Sequence, residues 1–162
     1  MTSTKQLDSP IGRLRLVATD EGLSRLLFDQ QVGEHPDLAG DSAESDDHPV
    51  LATATAQLAE YFAGERREFD IPLDLTGTEF QRAAWSALAG VPFGETRSYR
   101  QQAEAIGRPR AVRAIGAANG RNPVPIVLPC HRIVGSDGSL TGYGGGLRIK
   151  EYLLNHEQAQ SQ

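Results

Sequence analysis

Cys130 is the only cysteine in the sequence, and His131 follows it directly. The nucleophilic form of cysteine is the thiolate, and a free thiol with a pKa of about 8.5 is only slightly ionised at neutral pH. His131 can accept the thiol proton, either directly or through one water molecule. A carboxylate on the other ring nitrogen would fix the tautomer of the imidazole, and Glu157 is the best candidate for this partner. The pattern therefore predicts nucleophilic catalysis by Cys130.

Because Cys130 is the only cysteine in the sequence, few other roles are open to it. A single cysteine can form no intrachain disulfide and no four-thiolate zinc site, so we expect no metal. A lone cysteine in an apolar stretch is also common as a small buried hydrophobic residue, which leaves a structural role open. Neighbouring side chains on an extended strand point to opposite faces, so Cys130 and His131 need a bent backbone to meet. The nearby prolines restrict the backbone and favour such a bend: Pro123, Pro125 and Pro129.

Charge is distributed unevenly along the 162 residues, although the net charge is only −5. Residues 1–96 carry 7 basic and 17 acidic side chains, whereas residues 97–150 carry 9 basic and 2 acidic ones. Such asymmetry favours an anionic ligand for the basic segment, with a solvated basic face as the alternative. No apolar run approaches the roughly 18 residues that a membrane span requires. The N-terminal residues lack the apolar core of a secretory signal, and we expect a cytoplasmic protein that does not bind membranes.

The cysteine lies in a C-terminal segment that opens with helix signals. Thr78 to Gln81 and Ser98 to Gln101 both have the form of a capping box, and they predict helices that end near Gly90 and Gly107. Pro109 favours a further helix start. Most side chains of this next helix are small, and the long side chain of Arg113 projects beyond them. The small residues are Ala111, Ala114, Gly116, Ala117 and Ala118. The order helix, tight turn, helix suits a nucleic-acid groove, although small residues also serve ordinary helix packing.

The N-terminal segment has the patterns of strands and one helix. Alternation predicts a hairpin of residues 12–18 and 23–28, joined by a turn at 20–22. Residues 29–49 are polar and predict an exposed acidic loop, with disorder left open. A helix is expected over 50–63, and an edge strand over 69–75. The predicted class is α/β (α+β), with an N-terminal α/β lobe over residues 1–76 and a mainly helical lobe with the helix-turn-helix and active-site loop over residues 77–162.

Several motifs resemble one family in order and spacing. The sequence Pro129-Cys130-His131-Arg132-Ile133-Val134 looks like the acceptor site of the O6-alkylguanine-DNA alkyltransferases. The resemblance covers residues 78–157 closely and the N-terminal lobe loosely. It also includes the segments 93–99, 111–116, 122–126 and 142–147.

The resemblance implies a DNA repair reaction that consumes the protein in a single turnover. Cys130 would take the alkyl group from guanine O6, His131 would deprotonate it through a water molecule, and Glu157 would orient His131. Asn122 would hold the turn around the site. Tyr99 would contact guanine N3 and donate a proton to the leaving base. This order of groups is a relay of the kind that activates nucleophiles in other enzymes.

The same resemblance implies how DNA is bound. Arg113 would enter the duplex where the damaged nucleotide has been flipped out, since O6 within the stack cannot reach a thiolate in a pocket. DNA contacts are also expected from Ala114, Gly116, Asn119 and Tyr99. The pocket wall would be formed by Pro129, Ile133, Tyr143, Gly144 and Gly145. Asn119 stands where some relatives have methionine, which leaves the details of groove contact open.

The expected partner is therefore double-stranded DNA that carries O6-alkylguanine, and no cofactor is expected. We expect a monomer in solution and leave cooperative binding along DNA open. Two other function classes remain as alternatives. One is a cysteine hydrolase that uses Cys130, His131 and Glu157 on an acyl substrate, and the other is a DNA-binding regulator in which Cys130 is a sensor or a core residue. A phosphate-binding glycine loop at 142–146 is disfavoured, because no Gly-Lys-Ser/Thr follows it.

Overall fold

The computed structural model describes residues 2–34, 43–44, 47–143 and 145–161. The chain divides into two compact units, Met1–Leu75 and Thr76–Gln162. No helix in these described ranges is long and apolar enough to cross a membrane. The mixed α/β class predicted from the sequence is confirmed, with strands concentrated in the first unit and helices in the second.

The first unit is built on a sheet with the strand order β3-β2-β1-β4. Strands β1 (Ser3–Ser9), β2 (Gly12–Ala18) and β3 (Leu23–Phe28) pair antiparallel, whereas β4 (Ala43–Glu44) pairs parallel with β1. Helix α2 (Pro49–Phe62) packs against the sheet and buries Leu51, Leu58 and Tyr61. The predicted hairpin is confirmed by the pairing of β2 with β3. Strand β1 was missed, because its residues Lys5, Gln6 and Asp8 are polar and leave little alternation.

Two predictions for the first unit were wrong. Asp29–Glu34 form a short helix, α1, instead of a loop; Gln31 accepts a hydrogen bond from the Phe28 backbone, and Asp29 lies in the first turn, where a negative charge stabilises the helix. Much of the rest of the predicted 29–49 loop lies outside the described residues. Residues 69–75 form one bridge, Leu23 with Leu73, and not a strand. Pro72 lacks an N–H group, so only its carbonyl takes part in this pairing.

The second unit holds three short helices around a small core. These are α3 (Glu79–Leu88), α4 (Tyr99–Ala105) and α5 (Val112–Gly120). The two capping boxes predicted at Thr78 and Ser98 are both present and begin α3 and α4. Helix α5 begins later than Pro109 predicted, because residues 109–110 form a turn. The core cluster consists of Ala84, Ala103, Ile115 and Ala118. Because three of these buried residues are alanines, the helices can approach one another closely.

The remaining elements carry the acceptor motif. A 3-10 helix (Cys130–Arg132) leads into strand β6 (Ile133–Val134), which pairs parallel with β5 (Arg97–Ser98). Helix α6 (Leu147–Gln160) follows and buries Lys150, Leu153 and Glu157. These three residues are spaced three and four apart, so they share one face of the helix. The face contains two ionisable side chains, which must find partners where it is buried.

Candidate active site

Cys130 lies at a sharp bend in the backbone. Pro129 has φ −81° and ψ 67°, and the Cys130 amide donates to the Leu128 carbonyl at 2.8 Å. These values define an inverse γ-turn, which the fixed φ of proline favours. The Arg132 amide then donates to the Pro129 carbonyl at 3.0 Å and starts the 3-10 helix. Cys130 and His131 therefore do not alternate as they would on a strand.

Asn122 holds the loop that precedes this bend. Its Nδ2 donates to the Leu128 carbonyl at 2.8 Å, and its Oδ1 accepts from the Val124 amide at 3.0 Å. Between these two contacts lies Ile126, a buried β-branched residue with φ 74°. The left-handed region is unfavourable for such a side chain and costs about 1 to 2 kcal/mol. The Asn122 contacts on either side help to hold this strained backbone.

Glu157 joins His131 and Arg132 in a buried ion cluster. His131 Nε2 lies 2.7 Å from Glu157 Oε2, and Arg132 donates to both carboxylate oxygens, at 2.8 Å from Nε and 3.0 Å from Nη2. Arg132 Nη1 also donates to the Val91 carbonyl at 2.7 Å. Burial by itself raises the pKa of Glu157, but hydrogen bonds and charges from His131 and Arg132 outweigh it and lower the pKa to about 2. Glu157 is therefore a carboxylate throughout the physiological pH range.

This carboxylate fixes the tautomer of His131. Burial lowers the pKa of His131 despite the opposing effect of Glu157, so the imidazole is neutral at pH 7. A carboxylate only accepts hydrogen bonds, which places the single imidazole proton on Nε2 and a lone pair on Nδ1. Nδ1 is buried and has no hydrogen-bond partner among the described residues. His131 is thus in the protonation state of a base, and within the described part of the chain its basic nitrogen makes no hydrogen bond.

The Cys130 thiol is buried and protonated in the unliganded protein. Burial raises its pKa to about 11, although a hydrogen bond from Asn122, the charge of Lys150 and a hydrogen bond from Tyr143 lower it. Lys150 is fully buried, and its Nζ donates to the carbonyls of Ile133 at 2.6 Å and Thr141 at 2.8 Å. Because burial outweighs these groups, the thiol needs a base before it can act as a nucleophile.

Cys130 opens onto a cavity of about 300 Å³. The lining residues are Tyr99, Gly116, Asn119, Gly120, Cys130, Thr141, Gly142 and Tyr143. The Tyr99 hydroxyl accepts a hydrogen bond from Thr141 Oγ1 at 3.0 Å. A larger cavity of about 630 Å³ lies between α3 and α4, but its lining holds neither cysteine nor histidine. Of these two cavities, the smaller one combines a nucleophile, a neighbouring base and aromatic walls, which suits covalent chemistry on a bound ligand.

Both units match models of one family. Residues 79–159 match the 6-O-methylguanine DNA methyltransferase, DNA binding domain, and residues 4–75 match the ribonuclease-like domain of the same family. The chain belongs to the 6-O-methylguanine DNA methyltransferase family. The resemblance seen in the motifs is confirmed by these matches.

Individual members of this methyltransferase family are similar over nearly their whole length. A methylated-DNA–protein-cysteine methyltransferase from Mycolicibacterium paratuberculosis is 50% identical over 99% of this chain and 95% of its own length. The constitutive enzyme of that name from Bacillus subtilis is 44% identical over 93% of this chain and 92% of its own length. The crystal structure of Mycobacterium tuberculosis OGT in complex with DNA has a TM-score of 0.87 and 44% identity, covering 98% of this chain and 93% of that one.

The fold places some, but not all, of the residues predicted from the methyltransferase motifs at the Cys130 cavity. Four of the residues predicted for DNA contact or the pocket line the cavity beside Cys130: Tyr99, Gly116, Asn119 and Tyr143. Arg113 and Ala114 lie elsewhere, on the exposed face of α5. Pro129, Ile133 and Gly145 are buried but do not line the cavity, and Gly144 lies outside the described residues.

Sequence reasoning missed Arg132 and Lys150 as parts of the site. A signal for Arg132 exists, because a charged residue inside an apolar stretch requires a buried partner. Lys150 is seven residues before Glu157, which is two helical turns and therefore the same face of α6. That spacing identifies Lys150 as a buried cation near the site once Glu157 is placed there.

Proposed function

We propose that this chain repairs DNA by transferring the alkyl group of O6-alkylguanine, mainly O6-methylguanine, to its own Cys130. One observation supports this most directly: the only cysteine of the chain lies at a cavity beside a neutral histidine whose tautomer a carboxylate fixes. Relatives named methylated-DNA–protein-cysteine methyltransferase require a cysteine acceptor, and Cys130 is the only residue of that type here.

The transfer is a displacement at the alkyl carbon. The thiolate Sγ forms a bond to this carbon as the carbon–O6 bond breaks, and the electron pair of that bond stays with the guanine. A proton completes the restored base, and Cys130 becomes a thioether. Since the thioether has no leaving group of comparable quality, each chain reacts once.

His131 and Glu157 are proposed to move the thiol proton. Nδ1 of His131 would accept it through one bridging water molecule, while the hydrogen bond of Nε2 to Glu157 stabilises the imidazolium that forms. Asn122 would hold Cys130 in position. Tyr99 would donate a proton toward guanine N3 as the base leaves, and its hydrogen bond with Thr141 keeps the hydroxyl at the cavity. These roles follow the family resemblance residue by residue.

DNA is proposed to bind along the exposed face of α5. The segment 97–150 carries the excess positive charge that phosphate binding needs. Arg113 would occupy the gap in the duplex, and the damaged base would be flipped into the cavity beside Cys130. The partner is thus double-stranded DNA with O6-alkylguanine. A cytoplasmic location is also part of this proposal. We propose a monomer, because one chain supplies Cys130, His131 and Glu157 of the site.

The division of labour between the two lobes is also a proposal. Residues 77–162 would form the DNA-binding and alkyl-acceptor domain, because they contain Cys130, the cavity and α5. Residues 1–76 would form a separate N-terminal α/β lobe. The two compact units and the two family matches support a boundary close to residue 76.

Mass spectrometry of the intact protein tests the proposal directly. After brief incubation with a duplex that contains one O6-methylguanine, we expect a single addition of about 14 Da, located on Cys130 and saturating at one per chain. The same duplex with unmodified guanine is the control. An unchanged mass with the lesion still present would contradict the proposal, and repeated turnover of an ester would favour a hydrolase instead.

Replacing Arg113 with alanine is expected to slow transfer from duplex DNA about tenfold or more, because the flipped state loses its support. Transfer from free O6-benzylguanine, which needs no flipping, should keep the rate of the parent protein. The quantity measured is the rate of Cys130 alkylation with each substrate. Arg13→Ala, at an exposed position of β2, is the charge-matched control. Equal loss with both substrates would argue against a role for Arg113 in flipping.

A further inference from the structure

Gln102 and Asn119 form a reciprocal pair of amide hydrogen bonds between α4 and α5. Gln102 Nε2 donates to Asn119 Oδ1 at 2.9 Å, and Asn119 Nδ2 donates to Gln102 Oε1 at 2.8 Å. Gln102 Nε2 also donates to the Ala84 carbonyl at 3.1 Å. A carbonyl can only accept, so this third bond fixes which end of the Gln102 amide is the nitrogen. The orientation of Asn119 follows from it.

Asn119 belongs to the wall of the Cys130 cavity, and Gln102 stands behind it. Gly116 and Asn119 are three residues apart on α5, as are Tyr99 and Gln102 on α4, so each pair shares a helix face. Tyr99, Gly116 and Asn119 line the cavity, whereas Gln102 is buried and does not. After the reciprocal pair has formed, the Asn119 amide retains one N–H group and one oxygen lone pair. It therefore offers the cavity a polar group in one fixed orientation.

The pair resists reorientation of Asn119. Gln102 is only 3% exposed, so water has little access to its amide if the Asn119 side chain turns away. Rotation would leave a buried donor and a buried acceptor of Gln102 without partners, which is more costly than the loss of an exposed hydrogen bond. The wall is therefore rigid at this point, and rigidity of this kind favours a single bound geometry.

We propose that Gln102 is a positioning residue for alkyl transfer. It holds the Asn119 amide so that this amide meets the polar edge of the flipped guanine, and the base then presents its O6-alkyl carbon to Cys130. A purine edge carries both donors and acceptors, and the free N–H and lone pair of Asn119 match such an edge. The inference rests on the proposed function, because it places a guanine in the cavity.

The test compares two ways of breaking the pair. In the Gln102→Leu, Asn119→Leu double variant both partners become apolar at similar volume, so neither side-chain amide is left without its partner. Only the Ala84 carbonyl loses its contact with Gln102, and the stability should stay close to that of the parent. We expect its alkylation rate constants with methylated duplex and with free O6-benzylguanine to fall roughly tenfold, as for the loss of one positioning hydrogen bond. Binding of an undamaged duplex is measured beside these rates, so that a lost DNA contact of Asn119 is recognised separately. The exchanged variant Gln102→Asn, Asn119→Gln restores a reciprocal amide pair and should recover most of the rate.

Two outcomes would overturn the inference. Transfer by the Leu, Leu variant at the parental rate with both substrates would show that the pair only packs α4 against α5. A loss seen with the duplex but not with the free base would place the defect in DNA binding. The parent protein is measured first, so that absence of any transfer, which would defeat the proposed function itself, is recognised separately.

Discussion

Replacing Cys130 with serine is expected to reduce methyl transfer by at least about 10⁴-fold, the scale seen when the nucleophile of an enzyme is removed. Serine differs by one atom, so the bend at Pro129 and the cavity should persist. A hydroxyl ionises much less readily than a thiol, however, and the neutral His131 cannot compensate for this difference. The measurements are the mass of the protein and the amount of O6-methylguanine that remains in the duplex.

DNA binding serves as the control for this variant. Cys130 is buried, whereas Arg113 and Ala114 lie on the exposed face of α5. The Kd for an undamaged duplex should therefore match that of the parent protein. Methyl transfer retained by Cys130→Ser would contradict the acceptor role, and would favour a DNA-binding protein in which Cys130 is a core residue.

Replacing Glu157 with leucine is expected to have the largest effect on stability, about 3 to 5 kcal/mol of the free energy of unfolding. The substitution leaves the Arg132 guanidinium buried without its counter-charge and His131 without its partner. Urea denaturation measures the change. Glu151→Leu, at an exposed position of the same helix, is the matched control and should change the stability little. A loss below about 1 kcal/mol would show that the cluster contributes little.

A double variant separates stability from chemistry. With Arg132→Met and Glu157→Leu together, the buried charges disappear as a pair, so much of the lost stability should return. Alkyl transfer should remain strongly impaired, since His131 has lost the carboxylate that fixes its tautomer. Full recovery of transfer in the double variant would contradict the role proposed for Glu157.

The pH dependence of stability follows from the same cluster. The pKa of Glu157 is lowered from 4.5 to about 2 on folding, so its contribution is present above pH 4.5 and is lost as the pH falls toward 2. This loss is on the order of 3 kcal/mol in the parent protein. The lowered pKa of His131 acts in the same direction, because stability is present above pH 6.5 and declines below it as the unfolded chain takes up a proton. The Glu157→Gln variant should lack the decline between pH 4.5 and 2 that the carboxylate causes.

Local features of the sequence were sufficient to predict much of the secondary structure of the second unit. The capping boxes at Thr78 and Ser98 depend on hydrogen bonds between residues three apart, and both predictions were confirmed. The start of α5 was placed too early, since proline permits a helix start without requiring one. The strand predicted at 69–75 failed for a related reason: alternation shows that a segment suits a sheet, but a strand also needs a partner along its length.

A single candidate nucleophile could be identified from the sequence, because one cysteine is followed by histidine within a proline-rich motif. The surroundings of this cysteine depend on contacts between segments that are distant in the sequence. Arg132 donates a hydrogen bond to Glu157, which is 25 residues away in the sequence. Lys150 donates to the carbonyl of Ile133, which is 17 residues away. The Gln102–Asn119 pair also spans 17. A hydrogen bond between neighbours is encoded in the local backbone, whereas a bond between distant residues exists only after packing has removed both groups from water and left each as the other's partner.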